Sequence, residues 1–355
     1  MAGELAALGL GGEIDTGGVA FRARAGELYQ ANLSLRVASR VLVRVAEFRA
    51  TAFWELEKRA ESVPWAEIIA AGRAVAFRVT SRKSKLYHQA GIAERLSSAV
   101  TAAVSGVTAR DEDGAQEFVV RVFRDRVTIS IDSSGALLHL RGYRLASAKA
   151  PLRENLGAAV LMGAKWDMTR PLLDPFAGSG TIPIEAALMA RRIPPGWQRT
   201  FAFEEWPGFD PALWSKVRAR AEAGILPRAP GPILGSDRDA GAITMASANA
   251  ERAGVGGDIE WTHTAFSLAA RPEAPAWIVA NPPYGVRVGD PNKLRDLYAK
   301  VGQLAEERYR DCTVALVAAD SRLVAATGLA FEEALRFRNG GIPVRLVVRR
   351  PGVSE

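Results

Sequence analysis

The chain has 355 residues, 48% hydrophobic and 24% charged, with a formal net charge of +7. That length supports two or more domains with their own cores, and the positive balance points to a polyanionic partner. No apolar run is long enough for a bilayer, and "MAGELAALGLGGEIDTGG" lacks the features of a signal peptide, so a soluble cytoplasmic protein with no membrane partner is expected. The single cysteine, Cys312 in "CTVALVAAD", excludes a disulfide scaffold and reads as a core residue. His88, His139 and His263 are scattered away from any Cys or carboxylate cluster, so no metal site is expected.

Taken in chain order, "ANLSLRVASRVLVRVAEF" begins with helical spacing and drifts into strand composition. "TAFWELEKRAESVPWAEII" reads as an amphipathic helix ended by Pro64. The strand "RAVAFRVTSR", the helix "AGIAERLSSAVTAAV" and the strands "EFVVRVFRDR" and "VTISIDSSGALLHLRGYR" follow. Ser133-Ser134-Gly135 looks like the turn of a hairpin inside the last of these, which implies antiparallel pairing. Cations and rings interleave here. Arg82, Lys83 and Lys85 stand beside Tyr87, and Arg121, Arg124 and Arg126 follow. This mixture suits phosphate neutralisation together with base or sugar contact, so Arg82, Lys83, Lys85 and Tyr87 are the candidate nucleic-acid-binding set.

The texture changes near residue 150. "RPLLDPF", "GPILGSD", "DIEWTHTAF", "PAWIVAN" and "CTVALVAAD" are short apolar strands, the first three alternating with the helices "GTIPIEAALMARR" and "AGAITMASANAERAG". Such alternation implies an α/β fold whose parallel sheet is covered on both faces, with ligands bound beyond the carboxyl ends of the strands. The closing "EEALRFRNGGIPVRLVVRR" reads as a hairpin about Asn339-Gly340 that adds an antiparallel edge. Its arginines, Arg336, Arg338, Arg345, Arg349 and Arg350, suit either nucleic-acid contact or a solvated edge.

Three strand ends carry the chemistry. In "DPFAGSGTIPIEAA" the strand stops at Asp174, and Gly178 and Gly180 let the backbone approach a ligand. The lysine of a triphosphate-binding loop is missing after the last glycine, and Pro183 stands where a dinucleotide fingerprint has its third glycine. A nucleoside without a phosphate to clamp fits what remains, and S-adenosylmethionine is such a ligand. At the second strand end Asp237 is placed to accept from ribose hydroxyls, while Asp239 is either a helix N-cap or a ligand contact. Thr264, Ala265 and Phe266 follow the third, near where an adenine would lie.

"WIVANPPYGVRVG" ends its strand with two prolines and an exposed-looking tyrosine. An exocyclic amine on a nucleobase is a poor nucleophile because its lone pair is delocalised into the ring. Two acceptors fixed on its hydrogens draw the nitrogen toward tetrahedral geometry. Asn281 offers a side-chain oxygen and Pro282 a rigidly oriented carbonyl, Pro283 stiffens the turn, and Tyr284 is placed to stack on a base swung out of its helix.

"DPFAGSG" together with "NPPYG" resembles the class I methyltransferases that modify exocyclic amines. The whole chain resembles the THUMP-domain guanine-N2 RNA methyltransferases, relatives of the bacterial 23S ribosomal RNA enzyme. "GGVAFRARAGELYQANLSLRVASRVLVRVAEFRA", "SRKSKLYHQAGIAERL", "APLRENLGAAVL", "WPGFDPALW" and "RNGGIPVRLVVR" carry the likeness. It implies a ferredoxin-like region over 1–65, a THUMP RNA-binding domain over 66–148, and a Rossmann-like, seven-stranded methyltransferase domain over 149–355. It places the cofactor on Asp174, Phe176, Ala177, Gly178, Gly180, Thr181, Asp237, Asp239, Thr264 and Ala265, and the reaction on Asn281, Pro282, Pro283 and Tyr284. Ribosomal RNA is the expected substrate, with transfer RNA, DNA adenine-N6 and a non-catalytic RNA-binding factor as alternatives. Relatives usually show Gly-Asp-Ala where this chain has His263-Thr264-Ala265, so a hydroxyl replaces the usual carboxylate. Relatives also carry one more strand upstream of "GELAALGLGG", so either the N-terminal sheet lacks an edge or the chain starts further upstream.

Overall fold

In the strand Gln116–Phe123, Phe118, Val120 and Val122 are buried while Arg121 and Phe123 face outward, the two-residue period of a sheet with one covered face. The helices Phe53–Glu61 and Gln89–Ala103 supply the cover. Their Leu56, Ala60, Ile92, Leu96 and Val100 share a core with those strand residues, each large side chain contributing roughly 1.5–3 kcal/mol by leaving water. In the computed structural model, which describes residues 1–144, 152–273, 275–284 and 291–351, the chain forms two units. One is Met1–Leu138 with Arg199–Ala219; the other is His139–Gln198 with Arg220–Glu355. The expected boundary at 148/149 lies outside the described residues.

The first unit holds a small hairpin, β1 (Gly12–Asp15) with β2 (Gly18–Phe21), and a five-stranded sheet. Its strands are β3 (Leu42–Arg49), β4 (Ala74–Arg82), β5 (Thr108–Ala109), β6 (Gln116–Phe123) and β7 (Arg126–Asp132), in the order β3-β7-β6-β4-β5. β7 runs antiparallel to both β3 and β6, whereas β4 runs parallel to β5 and β6. The hairpin turn is not Ser133-Ser134-Gly135. It is Arg124-Asp125, both at positive φ (50° and 62°), the backbone a two-residue hairpin requires. The serines are buried instead. Ser133 Oγ donates to the Val41 carbonyl at 2.7 Å, and Ser134 Oγ donates to Asn32 Oδ1 at 2.8 Å.

The segment Arg199–Ala219 joins this unit through rings. Tyr29 stacks on Phe203 with centroids 4.5 Å apart, and Trp214 meets Phe203 edge-on at 5.3 Å. Trp206 Nε1 donates to Gln116 Oε1 at 2.8 Å.

The second unit is built on a seven-stranded sheet. Its strands are β8 (Leu172–Asp174), β9 (Ile233–Asp237), β10 (Ile259–His263), β11 (Trp277–Ala280), β12 (Thr313–Ala318), β13 (Glu332–Asn339) and β14 (Ile342–Arg349), in the order β10-β9-β8-β11-β12-β14-β13. The first five are parallel, and the β13–β14 hairpin closes the edge antiparallel. All residues of β8 and of β12 are buried, as strands covered on both faces must be. The hairpin turn is Gly340-Gly341, at φ 55° and 87°, one residue beyond the expected Asn339-Gly340. Two glycines meet the demand for positive φ without strain, and Asn339 remains in β13, paired with Ile342. Among the described residues no helix is long and apolar enough to cross a membrane.

Candidate active site

Register brings the motif residues to one edge of the parallel sheet. Leu173 pairs with both Leu234 of β9 and Ile278 of β11, and Asp237 pairs with His263 of β10. Asp174, Asp237, Thr264 and Asn281 therefore all stand at the carboxyl ends of their strands, where the backbone leaves the ladder and space opens beyond it.

The glycine loop after β8 is pinned on both sides. Ala177 N donates to the Ser236 carbonyl at 3.0 Å, and Gly178 N donates to Asp237 Oδ2 at 2.9 Å. Gly180 sits at φ 87°, caps the helix Thr181–Ala190, and has Ala246 and the Trp261 ring each 3.0 Å from where a Cβ would be. Conformation and packing both demand glycine there. Gly178 differs. At φ 52° it too is left-handed, but a Cβ would meet only the Phe176 carbonyl, at 4.0 Å. The open side of Gly178 is a cradle in which a ligand can lie against bare backbone, which fits the proposed nucleoside.

Asp174 is buried and accepts from Phe176 N at 3.0 Å. Burial pushes its carboxyl up to about 8; the Phe176 amide opposes this, and the Asp237 carboxylate adds to it. Asp237 ties the strand ends together. Its Oδ1 accepts from Asp239 N at 3.0 Å, Oδ2 serves Gly178, and its carbonyl accepts from Thr264 N at 3.0 Å. Each carboxylate oxygen keeps a lone pair for a second donor. Asp239 is a helix N-cap, its Oδ1 accepting from Gly241 N at 2.8 Å.

Other candidates lie deeper than the sequence suggests. Thr181 is buried, its hydroxyl accepting from Arg144 Nη2 and donating to the Leu152 carbonyl at 3.3 Å. Phe266 is a core residue, stacked on Tyr309 at 5.4 Å and tilted against Phe176 at 5.9 Å, while Phe176, Thr264 and Ala265 are half-buried.

Asn281 follows β11 directly and is half-buried; its Oδ1 is buried with no hydrogen-bond partner among the described residues. A buried acceptor with no donor is costly, by about 1–3 kcal/mol, unless a ligand supplies the donor. Pro282 is buried and Pro283 half-buried. Tyr284 is not exposed: only 9% of it reaches the surface, and it packs in the same core as Val279 and Val344. Asn339 Nδ2 donates to its hydroxyl at 3.0 Å. Burial raises that hydroxyl above its ordinary range, and the Asn339 bond opposes the rise. Sequence reasoning missed Asn339, treating it as a turn residue, and missed Trp261, whose ring lies under Gly180 and 2.3 Å from a Cβ placed at Gly235. The pair Gly340-Gly341, by supplying both turn residues, was the signal that left Asn339 free for another task.

In the first unit, Arg82, Lys83, Lys85 and Tyr87 are exposed, Tyr87 by 78%. The loop under them is held firmly. Lys85 N donates to Asp125 Oδ1 at 2.8 Å, and Asp125 N donates to Ser84 Oγ at 3.1 Å. Beside it, Arg121 and Arg124 lie 5.6 and 5.3 Å from the centroid of the Phe123 ring. The arginines of the β13–β14 hairpin are engaged within the chain: Arg336 and Arg345 with Glu333, Arg349 with Glu306, Arg350 with Glu332, and Arg338 with the Gly341 carbonyl.

Comparison with known proteins agrees with this geometry. Residues 141–347 match the RMKL-like methyltransferase domain, and residues 1–42 match the RlmL ferredoxin-like domain. The Synechocystis protein named "Putative RNA methyltransferase slr0064" is 33% identical, the match spanning 93% of this chain and 88% of that one. The "Ribosomal RNA large subunit methyltransferase K/L" of Psychromonas ingrahamii is 31% identical over 95% of this chain but only 46% of its own length, so this chain spans about half of that relative. The crystal structure of SMU.472, "a putative methyltransferase complexed with SAH", superposes with a TM-score of 0.88 at 28% identity, covering 100% of this chain and 95% of that one. With its strand order, glycine loop and domain match in agreement, the chain belongs to the RMKL-like methyltransferase family, UPF0020.

Proposed function

We propose that this chain transfers a methyl group to the exocyclic N2 amine of a guanosine in RNA, with large-subunit ribosomal RNA as the substrate pool. The methyl donor is S-adenosylmethionine, whose sulfonium supplies an activated methyl group. The chain's own residues bind and orient. Gly178 offers bare backbone, Asp237 holds the loop and keeps acceptor capacity for hydroxyl donors, and Thr264 offers a hydroxyl where relatives place a carboxylate. Asn281 Oδ1 and the Pro282 carbonyl accept the two hydrogens of the amine, directing its lone pair at the methyl carbon. Attack of the amine nitrogen on the methyl carbon would form the N–C bond as the S–C bond breaks, releasing S-adenosylhomocysteine, and the proton lost by the methylated amine would pass to solvent. Fixing both partners supplies most of the acceleration, because the leaving group is already activated.

The observation that carries this reading is the buried, unpartnered Oδ1 of Asn281 at the strand end next to the glycine loop. We assign capture of the RNA to the face that carries Arg82, Lys83, Lys85 and Tyr87. Residues 1–65 and 66–148 then serve as a ferredoxin-like region and a THUMP domain ahead of a catalytic domain that begins at 149. The length match to the Synechocystis relative and the ribosomal RNA activity named for the K/L relatives support RNA over DNA.

The test is nucleoside mass spectrometry with methyl-deuterated S-adenosylmethionine and RNA from cells lacking the gene. Label is expected in N2-methylguanosine from ribosomal RNA. Asn281→Ala should lower transfer by about 100- to 1,000-fold, the scale of losing one positioned hydrogen-bonding group, while calorimetry shows cofactor affinity little changed. Label in transfer RNA would reassign the polymer, and label in adenine would reassign the base.

A further inference from the structure

The reactive motif is fixed at its first residue by β11, which ends at Ala280, but its last residue, Tyr284, lies outside the strand. What holds that end is a side chain 55 residues further along. Asn339 is the final residue of β13 and is buried, and its Nδ2 donates to the Tyr284 hydroxyl at 3.0 Å. The turn after it is made wholly by Gly340 and Gly341, so Asn339 is not needed for the turn and its amide can point into the core. Tyr298, on the helix Pro291–Glu307, is also fully buried, with a hydroxyl that has no hydrogen-bond partner among the described residues. Its hydroxyl is pushed up by burial first, and then by Tyr284 and Asp320.

We propose that Asn339 is a positioning residue for methyl transfer: by holding the Tyr284 hydroxyl it pins the far end of Asn281-Pro282-Pro283-Tyr284 and so fixes the two acceptors between β11 and the closing hairpin. The proposal rests on the assignment of Asn281 and Pro282 as the amine's acceptors. A tyrosine ring bonded only through its apolar face can rock about its two side-chain torsions. A hydrogen bond at the hydroxyl, the point farthest from the backbone, removes that freedom at the greatest leverage. The two prolines then carry the constraint back to Asn281, because each has its φ locked. The antiparallel edge of the sheet thereby becomes part of the pocket for the target base.

The experiment compares Asn339→Ala, Tyr284→Phe and the double variant in the transfer assay, with Asn281→Ala alongside. Each single change should lower kcat on ribosomal RNA roughly tenfold, the scale of one lost buried hydrogen bond, with the KM for S-adenosylmethionine within twofold of wild type. The double variant should fall no further than either single one, since both remove the same contact. Wild-type kcat in Asn339→Ala, or losses that multiply in the double variant, would overturn the proposal. If Asn339→Ala does not fold, Tyr284→Phe reads the same bond, because it keeps the ring and removes only the accepting oxygen; full kcat there is equally fatal. Failure of this proposal and of the reading beneath it look different. An inactive Asn281→Ala beside fully active Tyr284→Phe and Asn339→Ala sinks only the positioning role, whereas an active Asn281→Ala, or a wild-type chain that labels no RNA, removes both.

Discussion

The strand-end edge of the second unit and the loop edge of the first are both places where backbone leaves a sheet, yet they are built in opposite ways. At the strand ends the functional groups are withdrawn from water: Asp174 and Tyr284 are buried, and both oxygens of Asp237 serve backbone amides. At the loop edge Arg82, Lys83, Lys85 and Tyr87 project into solvent, while the backbone beneath them is tied by Ser84 and Asp125. Methyl transfer needs its reacting groups held in a fixed geometry, and burial supplies it. Capture of a polyanion needs charge that can release counterions, and charge buried or paired cannot do that.

That contrast can be broken in order of effect. Gly180→Ala must place a Cβ against Ala246 and Trp261 at positive φ, so a loss of about 3 kcal/mol is expected in urea unfolding; a loss no greater than at the loop edge would end the contrast. Asp174 gives a pH signature. Its folded value, about 8 against an ordinary 3.8, means folding favours the protonated form. Its contribution to stability is thus fully present below about 4 and is lost as pH rises through about 8. Melts of wild type and Asp174→Asn at pH 5, 7 and 9 should show the wild type alone losing ground across that range.

At the loop edge the expectations are smaller and of another kind. Changing Lys83 and Lys85 together to Ala should leave stability within about 0.5 kcal/mol. It should reduce the slope of RNA affinity against salt by about 2, measured by filter binding from 50 to 200 mM salt, with cofactor affinity unchanged. The smallest effect carries opposite signs: Arg124→Asn, at a residue held at φ 50°, should stabilise the fold by roughly 0.5 kcal/mol because Asn tolerates that conformation, while weakening RNA binding by one phosphate contact. Loss of stability in that variant would show that Arg124 is held there by packing and not merely tolerated.

The parallel sheet and its loops were legible because each depends on local signals: continuous apolar runs, and glycine or proline at strand ends. What escaped depended on partners far along the chain. Ser133-Ser134-Gly135 has turn composition, but Asn32 and Val41 claim its hydroxyls. Arg124-Asp125 lacks glycine and makes the turn anyway. "NPPY" marked a strand end through its prolines, whereas the burial of Tyr284 was invisible until Asn339 was brought beside it. Asp239 illustrates the middle ground: its sequence position allowed capping or ligand contact, and the Gly241 bond establishes the cap.

The ring cluster of the first unit has a consequence for how the chain is made. Tyr29 emerges early in synthesis, but Phe203, Phe209 and Trp214, which it packs against at 4.5 to 5.9 Å, come about 175 to 185 residues later. On the ribosome the first unit therefore waits, incomplete, while the strand β8 and the helix Thr181–Ala190 leave the exit tunnel first. A release of the nascent chain before residue 219 leaves an aromatic surface uncovered, so chaperone dependence should be concentrated in that window of elongation and fall away once Trp214 has emerged from the tunnel.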